Sequence, residues 1–528
     1  MRFASYEFIG FLLLLFPLYY LIPKRWQWSA LLCASYLFYA FAGWDCLIFI
    51  LLTTLSSYGV ARWMGARAEK EARYLDAHRA DMEKEERKAY KAREKKKRFR
   101  ILILGLALNF GILGVLKYTG FVLSGVNGVF LAAGWGALEV PELLLPLGIS
   151  FYTFQTMGYL IDVYRAKTSV ERNPARLALF TSFFPQLVQG PISRHSDLAQ
   201  QLYAPHSFDR REFTYGLQRV LWGYFKKLVI ADRIMVAMKV LLADTDQYQG
   251  AYVVLLILFY SVQIYADFTG GIDITIGIAQ SLGIRLKENF NRPFSSRSTK
   301  EYWNRWHITM GSWFTDYVFY PLSVSKPMMR LSKWGRARLG ASLGKRVPVY
   351  LATIVTWFLT GLWHGAGANF IVWGLLNCLV ILVSQELEPL YGRFRKRFPT
   401  LHGSRGYQSF MAARTFLLMG LIRSLDCHRN VATSFRLWGS MLTCWNWNEL
   451  PSGMGSLGLS VADYTVIFVG ILLMWLVSRL SLQGDPRDRL YDRPVLTWAV
   501  CGGLLVAILL LGAYGVGYDA SQFIYDQF

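Results

Sequence analysis

The sequence predicts an all-α, polytopic membrane protein with about eleven transmembrane helices. Hydrophobic residues make up 54% of the 528 residues and charged residues only 17%, whereas soluble proteins carry about 25% charged residues. The 18 Trp and 30 Tyr residues are of the kind that collect at membrane–water boundaries. Apolar runs recur along the chain, many of them near the length of about 20 residues that crossing a bilayer requires. These features exclude a disordered, a fibrous and an ordinary cytosolic protein.

The apolar runs set the order of the predicted elements. The predicted spans are residues 6–22, 27–42, 44–64, 100–118, 143–164, 249–268, 347–364, 368–385, 408–425, 461–480 and 495–514. Four interrupted apolar stretches follow the pattern of re-entrant or half-buried helices, at 177–192, 212–243, 270–284 and 301–322. We expect these shorter helices to surround a central funnel. No small-residue cleavage site follows the first span, so we expect it to stay uncleaved.

Basic segments between the apolar runs predict the orientation of the chain. Residues 62–100 hold 15 Lys and Arg against 8 Asp and Glu, and Lys326–Arg346 holds seven basic residues and no acid. Because Lys and Arg are enriched in cytoplasmic loops, we place these segments, 393–397 and 479–493 in the cytoplasm, which leaves both termini outside. The net charge of +22 then reflects topology and anionic headgroups. Nucleic acid is not an expected partner, since no basic segment carries a recognition motif.

The order of these segments divides the chain into four parts. They are N-terminal spans (1–64), a charged cytoplasmic insert (65–100), a core (101–425) and an extracytoplasmic segment with two C-terminal spans (426–528). The insert has Glu69 and Arg73 at i,i+4 spacing, which favours a solvated helix. The alternative is a dock for an acidic partner or for lipid headgroups.

Ionisable residues within apolar segments are expensive and indicate functional sites, and the first such cluster lies at residues 301–317. If this segment is one helix, an aromatic stripe and a polar stripe containing Asp316 flank a narrow face of Asn304, His307 and Gly311. A helix that is polar on two faces suits a water-filled funnel. An interfacial helix with a structural histidine is the alternative.

The second cluster ends at His364. Thr353, Thr356, Thr360 and His364 are spaced i, i+3, i+7 and i+11, so they form one polar track along an otherwise apolar helix. Small residues follow the histidine, and glycine lets another backbone or a substrate approach closely. A histidine at the end of such a track is a candidate for function, although a lone buried histidine is usually a satisfied core residue.

The third cluster holds Gln263, Asp267 and Asp273, with two glycines, 270 and 271, between the acids. An interrupted apolar helix with two acids is typical of an ion-coupled transporter, and a structural cap at a helix break is the alternative. The six cysteines are scattered without a C-x-x-C pair, so neither a disulfide framework nor a metal site is predicted.

Five stretches resemble the membrane-bound O-acyltransferase family, in particular its bacterial branch for alginate O-acetylation. They lie at residues 146–165, 183–192, 267–273 together with 291–294, 302–317 and 361–365, the last being Gly-Leu-Trp-His-Gly. The similarity runs from about residue 6 to the C-terminal Phe523–Phe528. It implies a multi-pass protein of the bacterial plasma membrane that moves an acyl group, most simply acetyl, from a cytoplasmic thioester to an exported or cell-wall polysaccharide.

The resemblance also implies the roles of individual residues. His364 matches the catalytic histidine and His307 the second active-site histidine, while Asp316, Asn304, Trp363 and Thr360 support the site. Asp267, Asp273 and Gln155 are candidates for the donor side or for structure. No cofactor or metal is expected. Acetyl-CoA or an acyl-carrier thioester is the donor, and a separate extracytoplasmic acetyltransferase and a polysaccharide acceptor are the expected partners.

Three other functions stay open at this point. D-alanyl transfer to teichoic acid is the alternative within the enzyme class. An ion-coupled transporter would depend on Asp267 and Asp273, and a scaffold for polymer export would need neither histidine.

Overall fold

The computed structural model describes Met1 and residues 3–514, and in this part of the chain all regular structure is helical. The earlier helices are α1 (Tyr6–Leu21), α2 (Gln27–Ala40), α3 (Trp44–Ala77), α4 (Lys84–Ala132), α5 (Ile149–Tyr164), α6 (Pro174–Ser182), α7 (Phe184–Gln189), α8 (His195–Tyr203), α9 (Arg210–Tyr224) and α10 (Asp232–Ala243). The later helices are α11 (Ala251–Ser281), α12 (Thr299–Trp303), α13 (Ile308–Phe314), α14 (Tyr320–Ser323), α15 (Lys326–His364), α16 (Ala368–Glu386), α17 (Glu388–Arg397), α18 (Pro399–Gly403), α19 (Arg405–Arg423), α20 (Val431–Thr443), α21 (Leu450–Gly453), α22 (Val461–Leu480), α23 (Pro486–Tyr491) and α24 (Pro494–Leu511). Phe523–Phe528, part of the resemblance, lies outside the described residues.

The helices long and apolar enough to cross a membrane number seven among the described residues, by length and composition. They are α3, α4, α11, α15, α16, the segment Val461–Gln483 that begins with α22, and α24. An all-helical, multi-pass membrane protein is therefore confirmed, and the number of eleven spans is not. The predicted spans at 6–22, 27–42 and 143–164 do form helices, but α1, α2 and α5 have only 16, 14 and 16 residues.

The chain packs into two compact units. Among the described residues, one unit contains 1–213 and 279–286, and the other contains 214–278 and 287–514. These limits follow packing and differ from the four segments drawn from the sequence. Both histidines of interest, His307 and His364, belong to the second unit.

In the first unit, the charged insert at 65–100 is not a separate helix. It is the outer part of a hairpin in which α3 and α4 run on without a break from their apolar portions. Arg98 of α4 forms an ion pair with Glu71 of α3 at 2.8 Å. Glu94 of α4 forms ion pairs with Arg67 of α3 at 3.4 Å and with Lys97, one turn further along α4, at 2.5 Å. The pairs made by Arg98 and Arg67 connect the two charged helices, whereas the lysine pair lies within α4.

In the second unit, α9 and α11 are in backbone contact through glycines. A Cβ on Gly223 would lie 2.6 Å from the carbonyl oxygen of Gly270, and a Cβ on Gly277 would lie 2.6 Å from that of Gly216. Any larger residue would push the helices apart, so this seam requires glycine. It fixes the position of α11, whose middle part faces the site described below.

Helices α15 and α16 form a second close pair in the same unit. A kink at Gly340 (φ 82°, ψ 166°) divides α15, so its apolar part begins after that residue. A Cβ on Gly361 would lie 2.4 Å from the carbonyl oxygen of Phe370, and a Cβ on Gly374 would lie 2.4 Å from that of Trp357. The glycines let the two helices approach closely enough to bring their aromatic residues together.

Candidate active site

His307 lies at a break between two short helices. The segment 301–317 is not the continuous helix that the stripe pattern assumed: α12 ends at Trp303, and α13 begins at Ile308. His307 between them has a left-handed backbone (φ 48°, ψ 53°), which is uncommon for a residue with a side chain. The aromatic and polar stripes predicted for a single helix are therefore absent. At the break, the imidazole of His307 lies in the protein interior.

The ring of His307 is completely buried by protein. Phe268 of α11 meets it edge-on at 4.9 Å between ring centroids, and the Oδ1 atom of Asn289 lies 3.2 Å from its Nδ1. His307 is outside the spanning helices, and burial, with a smaller effect of the positive charge of Arg423, lowers its pKa to about 3. The imidazole is therefore neutral at physiological pH.

His364 occupies the last position of α15, beside two tryptophans. Its ring centroid is 5.0 Å from that of Trp363 and 4.6 Å from that of Trp373 on α16. The chain then turns at Gly365, where a Cβ would lie 2.2 Å from the ring of Phe370. Glycine is needed here because the Phe370 side chain occupies the space that a larger residue would fill.

Trp363 brings the two histidines together. Its indole centroid is 5.7 Å from the ring of His307 and 5.0 Å from that of His364. Two imidazoles from separate parts of the sequence thus contact one buried aromatic side chain.

Sequence reasoning missed the aromatic cluster around this pair. Trp303 packs edge-on against Trp357 at 4.8 Å and Trp373 at 5.7 Å. Arg423 stacks over Trp306 at 3.9 Å and donates to the hydroxyl of Tyr302 at 2.8 Å. The high tryptophan content was a signal for membrane boundaries, but nothing in it indicated that α12, α15, α16 and α19 bring these rings together.

The supporting residues lie in different environments. Thr360 is buried on α15, and its hydroxyl donates to the carbonyl of Thr356 at 2.8 Å. Asn304 is exposed and ends α12. Asp316 is half-buried in a π-helical turn after α13. A place for Asn304 and Asp316 beside the histidines stays a prediction.

The polar track along α15 is real, but its hydroxyl protons stay within the helix. Thr353 donates to the carbonyl of Val349 at 2.8 Å, and Thr356 donates to that of Ala352 at 2.7 Å. The threonine hydroxyl oxygens can therefore still accept a hydrogen bond from a ligand or from water, but their protons are already used.

The acids of the third cluster lie on a continuous α11, so the helix break expected at glycines 270 and 271 is absent. Lys227 contacts Asp267 at 2.6 Å and Asp232 at 2.8 Å. Asp273 is held by Lys226 at 2.6 Å and by the guanidinium of an arginine on α9 at 2.9 Å. Both carboxylates are neutralised by buried bases, which removes the main support for an ion-coupled transporter.

Gln155 belongs to the first unit. It is buried on α5, and neither polar atom of its side chain has a hydrogen-bond partner among the residues that the structure describes. Among the residues that the structure describes, no group of three or more His, Cys, Asp and Glu side chains is arranged to hold a metal ion.

Comparison with known proteins shows which family the chain resembles in sequence. The model of the membrane-bound O-acyltransferase family matches residues 169–336, which include His307. The chain is 35% identical over 502 residues to a probable alginate O-acetylase of Azotobacter vinelandii, covering 93% of this chain and 89% of that protein. It is 32% identical over 326 residues to the peptidoglycan O-acetyltransferase of Helicobacter pylori, covering 57% and 58%. A teichoic acid D-alanyltransferase of Bacillus subtilis is 26% identical over 298 residues, covering 54% and 72%.

The similarity to the alginate O-acetylase extends over nearly all of both chains, so it includes the segments that carry both histidines. The many apolar helices, the pair of imidazoles on one indole and this similarity lead to one conclusion. The chain belongs to the membrane-bound O-acyltransferase family and is a multi-pass membrane acyltransferase.

Proposed function

We propose that this enzyme transfers an acetyl group from a cytoplasmic thioester to a hydroxyl group that serves the O-acetylation of an exported or cell-wall polysaccharide, with His364 as the general base. The contact of His307 and His364 with the same side chain, Trp363, is the observation that carries this proposal. The contact places two imidazoles against one indole, and acyl transfer to a hydroxyl needs a positioned base for the hydroxyl proton.

His364 removes the proton of the acceptor hydroxyl, whose oxygen attacks the thioester carbonyl. A C–O bond forms, the C–S bond breaks, and the proton taken by His364 passes to the departing thiolate. The last turn of a helix exposes carbonyl groups that favour a cation, so the C-terminal position on α15 stabilises the imidazolium that exists between these steps. A base of this kind contributes roughly 10²–10⁴-fold to the rate.

The buried ring of His307 serves the same hydroxyl or the carbonyl of the thioester. Because it is neutral, it does not place a second positive charge beside His364 in the transition state. Trp363 and Phe268 hold the ring from two sides, so it keeps its position when substrates enter.

The donor approaches from the side of the membrane that carries the basic segment of α15. Lys326, Arg330, Lys333, Arg336 and Arg338 are all exposed in this segment. Such a surface attracts the phosphates of coenzyme A or of a phosphopantetheine arm. With this side in the cytoplasm, both termini lie outside the plasma membrane, and the acyl group leaves toward the outside while the charged donor stays in.

The test replaces His364 by alanine, and separately His307, in cells that export the polymer. Ester-linked acetate on the polymer and the amount of enzyme in the membrane are measured together. His402→Ala is the matched control, because His402 lies on α18 and outside the aromatic cluster. Loss of acetate in both site variants with normal protein level supports the proposal. Normal acetate in His364→Ala would refute the role of that histidine.

D-alanyl transfer to teichoic acid is distinguished by the same samples. The teichoic acid transferase aligns with 54% of this chain, whereas the alginate O-acetylase aligns with 93%. We therefore expect ester-linked acetate and no ester-linked alanine to depend on His364.

A further inference from the structure

Asn289 stabilises the left-handed backbone of His307. The backbone carbonyl of Asn289 accepts from the N–H of Ile308 at 2.9 Å. Its side-chain Oδ1 accepts from the N–H of Thr309 at 3.0 Å and from the Thr309 hydroxyl at 2.9 Å. Asn289 is fully buried, so these bonds form away from water and fix the amide firmly.

These bonds also determine which atom of the amide faces the histidine. A backbone N–H can only donate, so the atom that meets the N–H of Thr309 is the oxygen of Asn289. The same oxygen lies 3.2 Å from Nδ1 of His307. An oxygen acceptor there requires a proton on Nδ1, and in a neutral imidazole the lone pair then resides on Nε2.

We propose that Asn289 is a positioning residue that holds His307 in the Nδ1–H tautomer, so that Nε2 accepts a hydrogen bond from the acceptor hydroxyl and does not donate one to the oxyanion. This inference rests on the proposed function, since it assigns a direction to the second histidine of that site. It decides between two roles for His307, which are to accept a hydrogen bond from the hydroxyl and to donate one to the oxyanion. A neutral ring whose only proton is on Nδ1 cannot donate from Nε2.

The surroundings of the ring favour a neutral, single tautomer. Burial disfavours a second proton on His307, and the positive charge of Arg423 on α19 adds to this effect. The aromatic rings of Phe268 and Trp363 supply no carboxylate to compensate. The hydrogen bond from Nδ1 to Asn289 is therefore the contact that sets where the one proton resides.

Nitrogen NMR of protein labelled with ¹⁵N,¹³C-histidine tests the tautomer directly. The His307 signals are assigned as those missing from His307→Gln, and Nε2 is recognised by its bond to Cδ2. We expect the nitrogen without a proton to be Nε2 in the wild type, and a mixture of tautomers in Asn289→Ala. A wild-type His307 with the proton on Nε2 would overturn the inference.

Kinetics of the full-length enzyme test the consequence for acyl transfer. Asn289→Ala loses the acceptor for Nδ1, and we expect kcat to fall roughly tenfold, as for the loss of one hydrogen bond. Asn289→Asp keeps an oxygen acceptor and should recover most of this activity. Its negative charge favours the imidazolium, so the acidic limb of kcat/KM should move to higher pH.

Asn291→Ala is the matched control, because it removes an amide from the same loop whose oxygen accepts from the side chain of Arg292. Thr309→Val removes one bond to Asn289 but keeps the contact with Nδ1, and it should retain most of kcat.

An Asn289→Asp variant with the pH profile of the wild type, or an Asn289→Ala variant with full kcat, would count against the inference. If His307→Ala itself has full activity, the proposed function of His307 is wrong. If His307→Ala loses activity but the Asn289 variants keep the wild-type activity and pH profile, only the inference about Asn289 is wrong.

Discussion

Replacing Gly365 by alanine tests whether His364 is held in place by the close contact that follows it. The new Cβ would lie 2.2 and 2.3 Å from two ring carbons of Phe370, whereas ordinary contact begins at 3.4 Å. Either the ring or the backbone next to His364 must therefore move by more than about 1 Å. A displacement of that size at a catalytic group lowers the rate by about 10²-fold.

The assay is the initial rate of acetyl transfer from the thioester by enzyme in membranes, with protein amount and unfolding temperature measured on the same samples. The double variant Gly365→Ala/Phe370→Ala removes the ring that causes the clash, so its rate should return to that of Phe370→Ala alone. Gly439→Ala is the control, because that glycine on α20 has nothing within 4 Å of a Cβ.

A Gly365→Ala enzyme with the normal rate would show that the contact does not position His364. A double variant no faster than Gly365→Ala would show that the loss does not come from the Phe370 ring. Either result would refute the reasoning.

Three further predictions concern the scaffold. Lys227→Met leaves two buried carboxylates, Asp232 and Asp267, without their base, so it should destabilise the protein by about 3–5 kcal/mol. The measurement is the unfolding temperature in detergent, which should fall. An unchanged unfolding temperature would contradict the buried ion pairs. Gly223→Ala should destabilise by about 1–3 kcal/mol because its Cβ would meet the backbone of α11, whereas Gly439→Ala should not destabilise. Glu94→Gln should loosen the α3–α4 hairpin by about 1 kcal/mol, since its basic partners are partly exposed, and hydrogen exchange at the tip should rise while acetyl transfer stays normal.

The sequence allowed the class of fold to be predicted and singled out the two histidines as candidates, because both steps depend on local information. Apolar runs and basic loops are properties of contiguous segments, and the Gly-Leu-Trp-His-Gly stretch is read without knowing what packs against it. The polar track that ends at His364 was also visible, since the spacing within one helix is fixed by helix geometry.

The geometry around His307 could not be predicted in the same way. Periodicity favoured one helix over 301–317, but the bonds from Asn289 stabilise a break at His307, and this tertiary contact leaves no periodic signal. The acids Asp267 and Asp273 were visible as unusual charges, yet the bases that neutralise them come from the segment around residues 225–231, far along the chain. Pairing across helices decides whether a buried charge is functional or structural, and composition alone does not show it.

The position of Trp363 couples the two histidines mechanically. His307 is on the loop before α13 and His364 on the end of α15, yet both rest on one indole, so a small rotation of α15 alters both ring contacts at once. Substitutions at the two histidines should therefore show epistasis, with a double variant losing less than the product of the two single losses.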